Sequence, residues 1–131
     1  MAIDARKMQN HDANDVNLIR HKSLAESERW FKMPLAQQMA NVGSEVCRAA
    51  KWKEKENHDR TASAADRALE LLDFTILSVQ RSGKRLTELT RLREVLCDYF
   101  YGENSYGSTE ESLNRYFRPF EQLAASQRYD R

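Results

Sequence analysis

Apolar residues return at every third or fourth position through four long stretches of the chain, the signature of amphipathic helices. Over residues 35–57 the series runs Leu35, Met39, Val42, Val46 and Ala49/Ala50, with Trp52 continuing it. Gly43 interrupts that series. A mid-helix glycine costs up to about 1 kcal/mol against alanine, so Gly43 reads as a place where another helix comes close. Residues 60–80 carry the cleanest stripe: Ala65, Ala68, Leu69, Leu72, Ile76 and Val79. Over 84–101, Leu86, Leu89, Leu92, Val95, Leu96, Tyr99 and Phe100 cover more than one face, which predicts the most buried helix. Residues 109–125 repeat the period through Leu113, Tyr116/Phe117, Phe120 and Leu123/Ala124. Pro119 within that series predicts a kink or a break near Arg118.

The punctuation between these stretches is helical too. Ser23 with Glu26, and Ser108 with Glu111, have capping-box spacing. The first would open a short helix through Trp30 and Phe31. Pro34 suits the first turn of the next helix. Asn57 can end one helix and Asp59 cap the following one. Ser82-Gly83 breaks the chain, and Gly102 is placed to end a helix in the left-handed conformation. No β-branched alternation and no Asn-Gly or Asp-Gly hairpin turn competes. The expectation is an all-α fold: an antiparallel bundle of about four main helices plus a short leading helix, one domain over residues 23–126. Residues 1–22 are polar, lack a sustained period and read as a disordered tail, and residues 126–131 read as a fraying end.

Composition narrows the class. The chain has 131 residues, 40% hydrophobic and 31% charged, enough for one domain with a real core. With Gly at 4 and Pro at 2, collagen-like and turn-rich all-β designs are excluded. No apolar run approaches the roughly 18 residues that cross a bilayer, so no membrane partner is expected. The opening MAIDARKMQNHDAND has no apolar signal core, and cytoplasm is the expected location.

The chemistry is sparse. The formal net charge is +1, which gives no overall case for a polyanionic partner. The charge is uneven, however. Arg60 and Arg67 are outweighed by Asp59, Asp66, Glu70 and Asp73 over 58–80. Arg81, Lys84, Arg85, Arg91 and Arg93 outweigh Glu88, Glu94 and Asp98 over 81–101. Neighbouring helices that complement each other would explain this, and so would a basic patch. Cys47 and Cys97 have no Cys or His at ligand spacing, and no Glu stands three residues before a His. No metal, cofactor, phosphate loop or small-molecule substrate is therefore expected. Tyr99, Phe100, Tyr101 and Tyr106 cluster beside the 102–107 loop, either as a core plug or as a binding surface. Arg93 shares a helical face with Leu89, Leu96/Cys97 and Phe100, and must find an acid; Glu70 and Asp73 are the candidates.

Three segments together resemble HEPN domains, small helical bundles often partnered with a minimal nucleotidyltransferase. They are Glu45-Val-Cys-Arg-Ala-Ala-Lys51, Ala65-Asp-Arg-Ala-Leu-Glu-Leu-Leu72 and Leu92-Arg-Glu-Val-Leu-Cys-Asp-Tyr-Phe100. In the RNase members of that family an Arg is followed by four to six residues and a His, commonly trailed by Tyr. Arg93 and Tyr99 match the Arg and the aromatic, but Cys97-Asp98 stands where the His would be. Histidine moves protons best near neutral pH, so the resemblance implies a degenerate, non-catalytic member. The sequence thus supports a non-enzymatic protein-interaction module, homodimeric or with another protein partner. The alternative is a HEPN-like RNA-binding protein of the toxin–antitoxin or nucleotidyltransferase-associated kind. Candidate binding residues are Lys84, Arg85, Arg91, Arg93, Asp98, Tyr99 and Tyr101. An RNase using Arg93 and Asp98 is the third reading.

Overall fold

The computed structural model describes residues 28–129. The expected tail, the Ser23–Glu26 capping box and the last two residues lie outside them. The chain divides into two compact units, residues 1–32 and 33–131. Of the first, the described part is a helical stretch over 28–31, closed by Lys32 N donating to Arg29 O.

The second unit is all-α among the described residues, as the periodicity predicts. Its helices are α1 (Leu35–Glu54), α2 (His58–Gln80), α3 (Leu86–Tyr101) and α4 (Glu110–Tyr129). No helix among them is long and apolar enough to cross a membrane.

The helix at the centre is α1, which packs against both α2 and α4, while α3 packs against α2. This corrects the expectation that the 84–101 helix is the most buried. Met39, Val42, Val46 and Ala49 of α1 are fully enclosed, whereas α3 buries only Leu89, Leu92, Leu96 and Tyr99. The wide apolar arc of α3 exceeds what its neighbours cover, and Leu86, Val95 and Phe100 remain half-buried. Small residues set the closest approaches. Ala49 meets Ala64 and Ala65 between α1 and α2, and Phe100 packs onto that cluster. Gly43 lies under the ring of Phe117 from α4, so close that an added Cβ would stand 2.8 Å from Phe117 Cγ. The interruption read from the sequence is thus a helix-crossing point.

Several boundaries differ by a residue or a conformation. Asn57, not Asp59, caps α2: its Oδ1 accepts from Arg60 N at 3.1 Å. At α4 the reciprocal pair is Thr109 and Ser112, one position beyond the expected Ser108 and Glu111. Ser112 N donates to Thr109 Oγ1 at 3.0 Å, and Thr109 N to Ser112 Oγ at 2.9 Å. Ser108 is instead tied to Asn104, which holds it through both backbone groups at 2.8 and 2.9 Å. Gly102 is extended (φ −105), not left-handed. The left-handed positions of that loop fall to Asn104 and Gly107, residue types that tolerate positive φ.

Pro119 neither splits α4 nor ends it, and the helix continues past Ser126 to Tyr129. Buried Leu113 and Phe117 before the proline, and buried Ala124 after it, anchor both halves to the core. Packing of this kind outweighs local propensity.

Candidate functional site

The seven candidate residues do not converge. Five of them lie on α3, which sends them in different directions, and four of those five are consumed by the fold. Arg93 turns to α2, where its Nε donates to Asp73 Oδ1 at 2.7 Å and its Nη2 to Oδ2 at 3.5 Å; its Nη1 reaches Cys97 Sγ at 3.6 Å. Of the two acids considered, Asp73 takes the arginine, while Glu70 sits 3.3 Å from Arg67 on its own helix. Two turns along the same face, the Tyr101 hydroxyl bonds Asp66 Oδ1 and reaches Ala62 O at 3.4 Å. The acidic flank of α2 therefore meets the basic and hydroxyl groups of α3, as expected for complementary neighbours.

Asp98 shapes a loop. Its carboxylate accepts from Ser105 N at 2.9 Å and Tyr106 N at 3.1 Å. Charge-assisted bonds of this type are the stronger ones, and they fold the 102–107 segment back over the end of α3. Tyr99 is buried. Lys53 Nζ donates to its carbonyl at 2.9 Å and lies 4.6 Å over its ring. Burial first, and then the charges of Glu110 and Glu54, push the Tyr99 hydroxyl pKa up. The aromatic cluster thus divides: Tyr99 belongs to the core, while Tyr101 and Tyr106 are exposed. Cys47 and Cys97 are half-buried thiols. Among the described residues no group of His, Cys, Asp or Glu could hold a metal ion.

Lys84, Arg85 and Arg91 are exposed. Arg85, itself in a left-handed conformation at the start of α3, lies 3.5 Å from Glu88 and 5.2 Å over the Phe120 ring. Arg91 stands at the mouth of an open groove of about 490 Å³ between α3 and the start of α4. Leu92, Val95 and Leu113 give this groove an apolar wall; Glu88, Arg91 and Tyr116 give it a polar rim. Tyr116 donates to Glu88 Oε1 at 3.3 Å. Its burial, reinforced by Glu88, raises its pKa far above the ordinary 10.0.

A second open groove, of about 390 Å³, lies between α1 and α2 and was not anticipated. Glu45, Arg48, Trp52, Arg60 and Arg67 line it, with Ser63 and Ala64 on the α2 side. Arg60 lies 4.5 Å over the Trp52 ring, and Lys55 lies 5.3 Å from it. Glu45, Arg48 and Trp52 are spaced three and four apart, and Arg60 and Arg67 seven apart, so each set shares a helical face. That spacing was the available signal. It was hidden because the two sets belong to different helices.

Compared with known proteins, the chain matches no family model, no curated protein and no solved structure. None of these comparisons bears on the resemblance to HEPN domains.

Proposed function

We propose that this chain is a non-enzymatic helical module that works by protein–protein contact, and that it pairs with a second copy of itself through the groove between α3 and α4. The observation that carries the reading is the apolar wall of that open groove, half-buried Val95 with the buried side chains of Leu92 and Leu113, beside half-buried Tyr116. A wall of this kind gains free energy when water is removed from it, by roughly 25 cal/mol per Å² of apolar surface. Glu88 and Arg91 supply the register. They are three residues apart on one helix and both exposed. Across a two-fold axis each can therefore meet its opposite charge on the other copy, as an isologous interface requires. Light scattering on the eluting protein tests this. The expected result is a dimer that becomes a folded monomer in Val95→Glu. A wild-type monomer at structural-sample concentration refutes the pairing.

A second reading, RNA binding of the HEPN-like kind, is favoured by the exposed run Arg81, Lys84, Arg85 and Arg91 around the start of α3. Its signature is affinity for single-stranded RNA that falls steeply with salt and drops in an Arg85→Ala/Arg91→Ala double variant. The third reading, cleavage through Arg93 and Asp98, has less support. Both groups are held by fold-forming bonds, to Asp73 and to the 105–106 amides.

A further inference from the structure

The groove between α1 and α2 has a different character from the one assigned to pairing. We infer that it is a second interaction site, which takes a carboxylate side chain (Asp or Glu) presented by a segment of a partner protein. Arg60 is the receiving group. Its guanidinium lies 4.5 Å over the Trp52 ring, a cation–π contact that fixes its position. A guanidinium held by its face keeps its N–H fork for a carboxylate. Among the described residues Arg60 has no carboxylate within salt-bridge distance, whereas Arg48 is met by Glu45 at 2.9 Å and Arg67 by Glu70 at 3.3 Å. Ser63 and Ala64 make the α2 side of the groove low, so an incoming side chain can reach Arg60 without displacing bulk. Tryptophan and arginine are also the residue types that dominate binding energy at protein interfaces.

Charge selects the class of ligand. A nucleic-acid strand carries a phosphate on every nucleotide and is held by a run of uncompensated cations beside open stacking faces. Here acids already answer two of the three arginines, Glu45 would face the strand, and Arg60 covers the Trp52 ring. The remaining surplus suits a single carboxylate. A second copy of this chain is already assigned to the groove between α3 and α4, on other helices.

The inference shares with the proposed function only the idea that the partner is a protein, and its readout lies on other helices. The test is an NMR titration of the isotope-labelled full chain with a Glu/Ala peptide, a Lys/Ala peptide of equal length and oligouridylate. The Glu/Ala peptide is expected to shift the Trp52 indole N–H and the Arg60 Nε–H signals saturably, with affinity falling as salt rises. Arg60→Ala should weaken binding at least tenfold, and Arg60→Lys, which keeps the charge but loses the fork, by an intermediate factor. The monomeric Val95→Glu variant and Arg91→Ala should bind as the wild type does. The inference is overturned if Trp52 and Arg60 do not respond, if the Lys/Ala peptide shifts them equally, or if oligouridylate binds there more tightly than the Glu/Ala peptide.

Discussion

Replacing Gly43 with alanine sets two effects of known sign against each other. In the middle of a helix the change is favourable by about 1 kcal/mol on propensity alone. The new methyl, however, would stand 2.8 Å from Phe117 Cγ, 2.9 Å from its Cβ and 3.0 Å from its Cδ1. These are the root of the side chain and its ring, and Phe117 is 1% exposed, so it cannot swing out to solvent. Either α1 and α4 separate or the ring leaves its rotamer, and overpacking of this kind costs about 1–3 kcal/mol. The steric term wins, for a net loss of about 1 kcal/mol, and a chain of this size should melt several degrees lower. Urea denaturation of Gly43→Ala, Phe117→Leu and the double variant measures it. The double variant should be less destabilised than the sum of the singles, because the smaller side chain gives the methyl room. A Gly43→Ala protein more stable than wild type by the propensity increment would refute the close-packing argument.

Three further outcomes follow from particular residues. Glu56 holds φ 57 just past α1, where Glu56 N bonds Lys53 O and Asn57 N bonds Trp52 O. That position favours glycine, so Glu56→Gly should raise the denaturation midpoint, by about 1 kcal/mol of stability at most. Asp98→Asn removes the charge that holds the Ser105 and Tyr106 amides. It should cost about 1–2 kcal/mol and expose the 102–107 segment to limited proteolysis, while the far-UV helix signal stays intact. The raised pKa of Tyr116 means that the folded state keeps its proton after the unfolded state has lost one. Its stabilising contribution is thus complete below about pH 10 and declines as pH rises beyond it. Melting temperature should fall more steeply above that pH in wild type than in Tyr116→Phe, and equal slopes would contradict the assignment.

The four helices were legible because their apolar period is long, and the crossing at Gly43 because glycine has few other reasons to stand mid-helix. Arg93 was legible as a residue that needed an acid, but only three dimensions could choose Asp73 over Glu70. Boundary errors arose where two capping residues stand within two positions of each other. Asn57 and Asp59, or Ser108 and Thr109, offer similar side chains, and the exact turn of the loop decides which oxygen reaches the amide. The misjudged burial of α3 has a more instructive cause. Apolar width along a helix measures how much surface wants cover, not how much the chain itself provides.

That distinction bears directly on function. Three of the polar groups of α3 that drew attention in the sequence are spent within the chain: Arg93 on Asp73, Tyr101 on Asp66, Asp98 on the loop amides. The apolar groups are what the chain leaves over. Val95 stays half-buried beside Leu92 and Leu113, at the groove that Arg91 and Glu88 border. A helix most of whose candidate polar groups are held within the chain, and whose hydrophobic arc is not covered, gains less from a charged ligand on that face. It gains most from another protein surface that removes water from the groove. The reverse holds on α1 and α2, where the alanines close against each other and Arg60 over Trp52 is what remains to be met. The two grooves therefore call for different partners: an apolar one for α3 and α4, and an anionic side chain for α1 and α2.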